Sequence, residues 1–173
     1  MRRKKIISLV MLALSVVSCS SAEKPQGDAP AAQPAAEVRD QGGRTPLMLA
    51  IDGGDIEGAK KLIADGANVN AETSSGVTPL MNAAGIGNKE LVELLIARGA
   101  NVNHKTSGNY TPLMAASLVG QTEIVRVLLD AGADPAVKDT GGRTAATYAQ
   151  EKGHAEIAAM LKQRSSGSAS GEK

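Results

Sequence analysis

The sequence predicts an all-α repeat solenoid in which four helix-turn-helix units, each followed by a hairpin loop, stack into one elongated array. Three observations carry that expectation. A segment beginning Thr-Pro-Leu-Met starts at Thr45, Thr78 and Thr111, and returns at Thr144 as Thr-Ala-Ala-Thr, a fixed step of 33 residues. A glycine lies nine residues after each threonine, at Gly54, Gly87, Gly120 and Gly153. The first three units close on Gly66-Ala67-Asn68-Val69-Asn70, Gly99-Ala100-Asn101-Val102-Asn103 and Gly132-Ala133-Asp134-Pro135. A unit of this length cannot bury its apolar face alone, so neighbours must stack to build a core.

Within each unit the residues specify the elements in order. A threonine hydroxyl can cap the first free amides of a helix, and proline is tolerated at the first helical position, so Thr-Pro predicts a helix start. Leu-Met-x-Ala supplies apolar residues at helical spacing for about two turns, and the following glycine allows a left-handed exit. The second helix opens on Glu90 and buries Leu91, Val92, Leu94, Leu95 and Ile96 before Gly99 stops it. Glu123, Ile124, Val125, Val127, Leu128 and Leu129 repeat the pattern. Between units, Asn, Asp, Ser and Gly give the composition of a tight hairpin loop. Helices this short are marginal alone, so stacking supplies most of their stability.

Thr-Pro-Leu, the Ala-Ala-x-x-Gly exit, the Glu-Ile-Val-x-x-Leu-Leu second helix and Gly-Ala-Asn/Asp together resemble the ankyrin repeat. The match covers residues 38 to 164, in units of about 38–70, 71–103, 104–136 and 137–164. Where that family often has histidine after Thr-Pro-Leu, this chain has Met48, Met81 and Met114, a flexible apolar filler in place of a polar bridging group. The fourth unit lacks the Pro and Leu and sets Ile157, Met160 and Leu161 against Lys162, Gln163 and Arg164, as a C-terminal cap should. In the first unit Gly58, Ala59, Lys60 and Lys61 replace the apolar run, which suits an N-terminal cap.

Outside the array, Met1-Arg2-Arg3-Lys4-Lys5 precedes an apolar stretch from Ile6 to Val17, the order of a secretory signal and too short to span a bilayer. Residues 1–18 are read as that signal peptide. Val16-Val17-Ser18-Cys19 resembles the lipobox of bacterial lipoproteins, in which the cysteine is lipidated and becomes the new N-terminus. Cys19 is the single cysteine of the chain. The alternative is ordinary cleavage near Ser20-Ser21-Ala22, which would leave a soluble periplasmic protein. Ser20 after the cysteine, by analogy with enteric bacteria, points to the outer membrane rather than the inner one. Residues 19–37 read as the lipidated cysteine and a disordered Ala/Pro/Gln-rich tether, and 165–173 as a disordered tail.

Charge and composition narrow the function classes. Loss of Arg2, Arg3, Lys4 and Lys5 with the leader turns a net charge of +1 into −3, with no polybasic footprint for nucleic acid. Two histidines, His104 and His154, and no cysteine after Cys19 leave no Cys-His nucleophile. His154 begins a second helix where the resembled family often has histidine, and His104 is expected to be a solvated loop residue. Asp52, Asp55 and Glu57 cluster at one turn, but helix capping accounts for them without a metal. Asn109-Tyr110-Thr111 matches a glycosylation acceptor, yet Asn109 takes the slot of Gly43, Gly76 and Gly142 and so reads as a positive-φ turn residue. No catalytic residue, cofactor or metal site is expected.

The resemblance implies that a protein partner meets the hairpin tips and the exposed end of the first helices, which line a concave face. The residues before each threonine are Arg44, Val77, Tyr110 and Arg143, and those before each exit glycine are Asp52-Gly53, Gly85-Ile86, Leu118-Val119 and Glu151-Lys152. Val77, Ile86, Tyr110, Leu118 and Val119 would form an apolar centre, with Arg44 and Asp52 on one flank and Arg143, Glu151 and Lys152 on the other. Ile86 and Val119 have the readiest inward alternative, which leaves Tyr110 and Leu118 as the expected anchors. The expected function is therefore a monomeric, envelope-tethered scaffold that binds another protein. An inhibitor or immunity protein against a toxin or enzyme, or a structural or stress-protective envelope protein, would use the same repeats differently.

Overall fold

A computed structural model describes residues 38–167 of the chain. The signal peptide, Cys19, the tether and residues 168–173 lie outside the described residues. Among those described there are eight helices and no strand. They pair as α1 (Pro46–Asp52) with α2 (Ile56–Ala64), α3 (Pro79–Ile86) with α4 (Lys89–Ala97), α5 (Pro112–Val119) with α6 (Thr122–Asp130), and α7 (Ala145–Glu151) with α8 (Ala155–Gly167). The first helices pack on one another in one row, and the second helices follow in a looser row behind them.

Each start is built as its sequence requires. The Thr45, Thr78 and Thr111 hydroxyls accept from the amides of Met48, Met81 and Met114 at 3.3–3.4 Å, with proline as the next residue. Thr144 has no following proline and instead forms a reciprocal capping box with Thr147. α2 is capped by Asp55 on the Gly58 amide and α4 by Asn88 on the Leu91 amide, whereas Gln121 ahead of α6 makes no side-chain cap. α3 and α5 leave through Gly87 and Gly120 in the left-handed region, at φ +88° and +85°. At the latter a side chain is excluded twice over, because a Cβ there would collide with the His154 imidazole of the next unit. His154 is thus a stacking residue that closes the third unit.

The core is a continuous column of Leu47, Leu80 and Leu113 from the first helices against Leu91, Leu95, Ile124 and Leu128 from the second, each at most 1% exposed. Met48, Met81 and Met114 are buried beside them as the apolar filler expected of their position. Leu94, Ile96 and Val127 are only partly buried, since the looser row of second helices leaves their outer side open. At an order of magnitude, truncating one of the fully buried leucines to alanine costs about 2–5 kcal/mol.

Side-chain amides stitch the loops between units. Asn70 donates Nδ2 to the Gly99 carbonyl and accepts from the Asn101 amide, and Asn103 does the same with Gly132 and Asp134, all at 2.8–2.9 Å. The ladder stops at Ala136, which has no side-chain amide to offer. His104, expected to be solvated, is half-buried, with Nε2 at 3.1 Å from the Gly76 carbonyl and Nδ1 at 3.7 Å from Glu72. It bridges two hairpins because its loop lies directly against the preceding one. Asn109 does take the positive φ, +57°, predicted for its slot.

The last helix also departs from expectation. Gly66, Gly99 and Gly132 stop α2, α4 and α6 with positive φ, but the equivalent position in the fourth unit is Ser165. Without a stop glycine α8 continues to Gly167, three residues into the stretch read as a disordered tail.

Candidate functional site

The row of first helices builds a groove of about 330 Å³. Its walls are Val77, Met81, Ile86, Tyr110, Ala115, Leu118 and Val119, and Asp52, Asn82 and Gly85 complete it. All five apolar residues expected at the centre of the patch are therefore brought together. Their exposure is the reverse of the expected order. Ile86 and Val119 are each 47% exposed, whereas Tyr110 and Leu118 are half-buried. Ile86 and Val119 end α3 and α5 just before the exit glycine, where no neighbour covers them. Leu118 packs in part against the core, and Tyr110 is held by an aromatic partner that the periodic pattern does not mark.

That partner is Tyr148 on α7, whose ring meets Tyr110 edge to face at 5.6 Å between centroids. Tyr148 in turn donates its hydroxyl to Asp139 Oδ2 at 2.7 Å. Asp139 Oδ1 accepts from the amides of Gly141 and Arg143, both at 2.8 Å, so one carboxylate organises the hairpin and anchors the ring. The Arg143 guanidinium lies 4.5 Å over the Tyr148 ring and pairs with Asp139 at 3.0 Å. The Tyr148 hydroxyl and the Arg143 amide hold the Asp139 carboxyl down to about 2. Burial first, and then the Asp139 carboxylate, push Tyr148 up to about 12. Burial also raises Tyr110, against the opposing pull of Arg143.

The two arginines expected on the flanks do not line the groove itself, and neither is free. Arg143 is fixed by Asp139 and Tyr148. At the other end Arg44 donates Nε to Asp40 at 2.7 Å and reaches Asp52 with a longer contact of 3.5 Å. Asp40 repeats the role of Asp139, accepting from the amides of Gly42 and Arg44. A signal for both was present in the sequence. Asp40-Gln41-Gly42-Gly43-Arg44 and Asp139-Thr140-Gly141-Gly142-Arg143 are the same turn three repeats apart. In the two middle units threonine takes that place, and Thr73 and Thr106 accept from the amides of Val77 and Tyr110.

The groove holds no nucleophile with a base beside it, and its polar atoms, the Asp52 carboxylate, the Asn82 amide and the Tyr110 hydroxyl, suit hydrogen bonding at a rim around apolar walls. Among the described residues no group of three or more His, Cys, Asp or Glu is placed to hold a metal ion, and no helix is long and apolar enough to cross a membrane.

A search of curated proteins finds no match to the chain. The family model described as Ankyrin repeats (3 copies) matches residues 67–139 and 107–170, and that described as Ankyrin repeat matches 42–74. These spans run unbroken over the capped helix pairs and their hairpins, and the chain belongs to the ankyrin repeat family.

Proposed function

We propose that this chain, whose repeats are generally protein–protein interaction modules, is a non-enzymatic scaffold that binds a protein partner through the groove of its first helices. The observation that carries the reading is the pairing of Ile86 and Val119, two large apolar side chains left nearly half exposed on adjacent helices, with a rim of charged residues already locked in place. Solvent-exposed apolar area gathered in one groove is what a partner's burial would stabilise, and a rigid rim lowers the entropy lost on binding. The scaffold is tethered in a bacterial envelope by lipid on Cys19, at the outer membrane with the repeats in the periplasm, and acts as a monomer.

The test is affinity capture from an envelope extract of the native organism with the wild-type chain and an Ile86→Asp, Val119→Asp double variant. These exposed positions are better probes than Tyr110, whose removal would strip the support from Tyr148. A protein held by the wild type and lost by the variant supports the reading. Equal retention by both would refute it.

A further inference from the structure

The groove has a gap in its floor. Along the row Asp52, Gly85, Leu118 and Glu151, the equivalent residue of each first helix, the second position carries no side chain. Nothing in the fold requires that glycine. It lies within α3, its φ is not among the positive ones, and apart from its chain neighbours and its own helix backbone no atom lies within 4 Å of where a Cβ would stand. Glycine inside a helix is less favourable than alanine by up to ~1 kcal/mol, so the sequence gives up helix stability to keep this spot open.

The gap also has a charge at its edge. Asp40 and Asp52 share one guanidinium, that of Arg44, and its short bond goes to Asp40. The second guanidinium on this hairpin, Arg39, is turned to the Gly43 and Glu72 carbonyls and not to Asp52. Asp52 Oδ1 accepts from Asn82 Nδ2 at 2.7 Å, which aims the carboxylate along the groove toward α3, while Oδ2 keeps only the longer contact to Arg44. At the opposite end the carboxylate in the equivalent position is Glu151, which acts on Arg143, and Arg143 also pairs with Asp139.

We propose that Gly85 and Asp52 form a selectivity subsite for a cationic side chain, Lys or Arg, of the protein partner. The methylene stem lies across Gly85 between Ile86 and Leu118, and the charged head pairs with Asp52. A long cationic side chain is apolar along its stem and charged at its tip, which matches an apolar trough ending in a carboxylate. An acidic partner residue placed there would face the Asp52 carboxylate and be disfavoured by like-charge repulsion. The inference rests on the groove being the partner-binding face, and it names what that face selects.

The test is selection of a random short-peptide library on the full chain, followed by affinity measurement of the enriched peptides on variants checked for unchanged folding. Enriched peptides are expected to carry Lys or Arg beside an apolar residue. Asp52→Asn, which keeps an acceptor for Asn82, should weaken them on the order of tenfold, as should Gly85→Leu, which copies Leu118 into the gap. Lys61→Ala on α2 should change nothing. Enrichment of neutral or acidic peptides, no enrichment, or binding indifferent to Asp52→Asn would overturn the subsite. If those peptides still required Ile86, the binding face would stand without it; if Ile86→Asp also left them bound, both readings would fall.

Discussion

Replacing Gly85 separates stability from recognition. Where a neighbour presses against a helical glycine, substitution forces a clash. Here the space beyond a Cβ is empty, and the backbone φ suits any residue. Gly85→Ala should therefore recover the helix-propensity difference, about 0.5–1 kcal/mol, reduced toward the lower figure because the residue is next to last in α3. For a folded region of this size, with an unfolding entropy near 2.1 cal/mol/K per residue, that is a rise in Tm of roughly 2–4 °C. Gly85→Leu should be at least as stable as the wild type, since its side chain adds apolar contact with Ile86 and Leu118. The assay is thermal unfolding by far-ultraviolet circular dichroism, run beside binding of a groove ligand. Both variants should melt at or above the wild type, and the leucine variant should bind worse. A lower melting temperature for Gly85→Ala would show that the glycine serves the fold, and would refute the argument that its absence of a side chain serves a ligand.

Other outcomes follow from the same geometry. Gly99→Ala should cost the about 1–2 kcal/mol of a left-handed residue in open space, whereas Gly120→Ala should cost a further ~1 kcal/mol or more because it also displaces His154; equal losses in denaturant melts would contradict the stacking role. Asp139 has a folded pKa of about 2 against an ordinary 3.8, so its stabilising contribution is present above pH 4 and lost as pH falls toward 2; Asp139→Asn should flatten that limb of an acid melt. Tyr148 is shifted upward, to about 12 from 10, so its contribution is complete below pH 10 and lost as pH rises through 12. The chain has two tyrosines and no tryptophan, so tyrosinate absorbance reads them directly. Asp139→Asn should lower the later transition toward 10 without reaching it, because burial remains the larger cause. Cys19→Ala should move the protein from the membrane to the soluble envelope fraction and abolish labelling by a fatty-acid analogue; unchanged labelling would rule out Cys19 as the lipidated residue.

Much of the fold was legible because its local determinants recur at one period. Thr-Pro starts, glycine exits and the apolar run of the second helix each act within a few residues, so reading them needs no knowledge of the tertiary arrangement. What was missed depends on contacts between units. His104 reads as a polar loop residue until the next hairpin is laid against it, and the extension of α8 follows from a missing glycine rather than from a residue that is present. The groove's membership was readable by counting from each threonine, but not the exposure of its members. Tyr110 is supported by Tyr148, which occupies a position that is alanine in the preceding unit, so no periodic signal marks it. The fixed state of Arg143 and Arg44 was available in the Asp-x-Gly-Gly-Arg turn that opens the first and last units. Gly85 looked like one more residue before a helix exit; its meaning appears when the space over it is seen to be open.

The most direct measurement of the central claim is site-specific photocrosslinking in the native envelope, with a photoreactive residue at Ile86 or Val119 in the groove and, as the control, at Lys61 on α2. The account predicts a discrete protein adduct from positions 86 and 119 and none from 61. An adduct from position 61 with none from the groove would place the partner on the opposite face and contradict it.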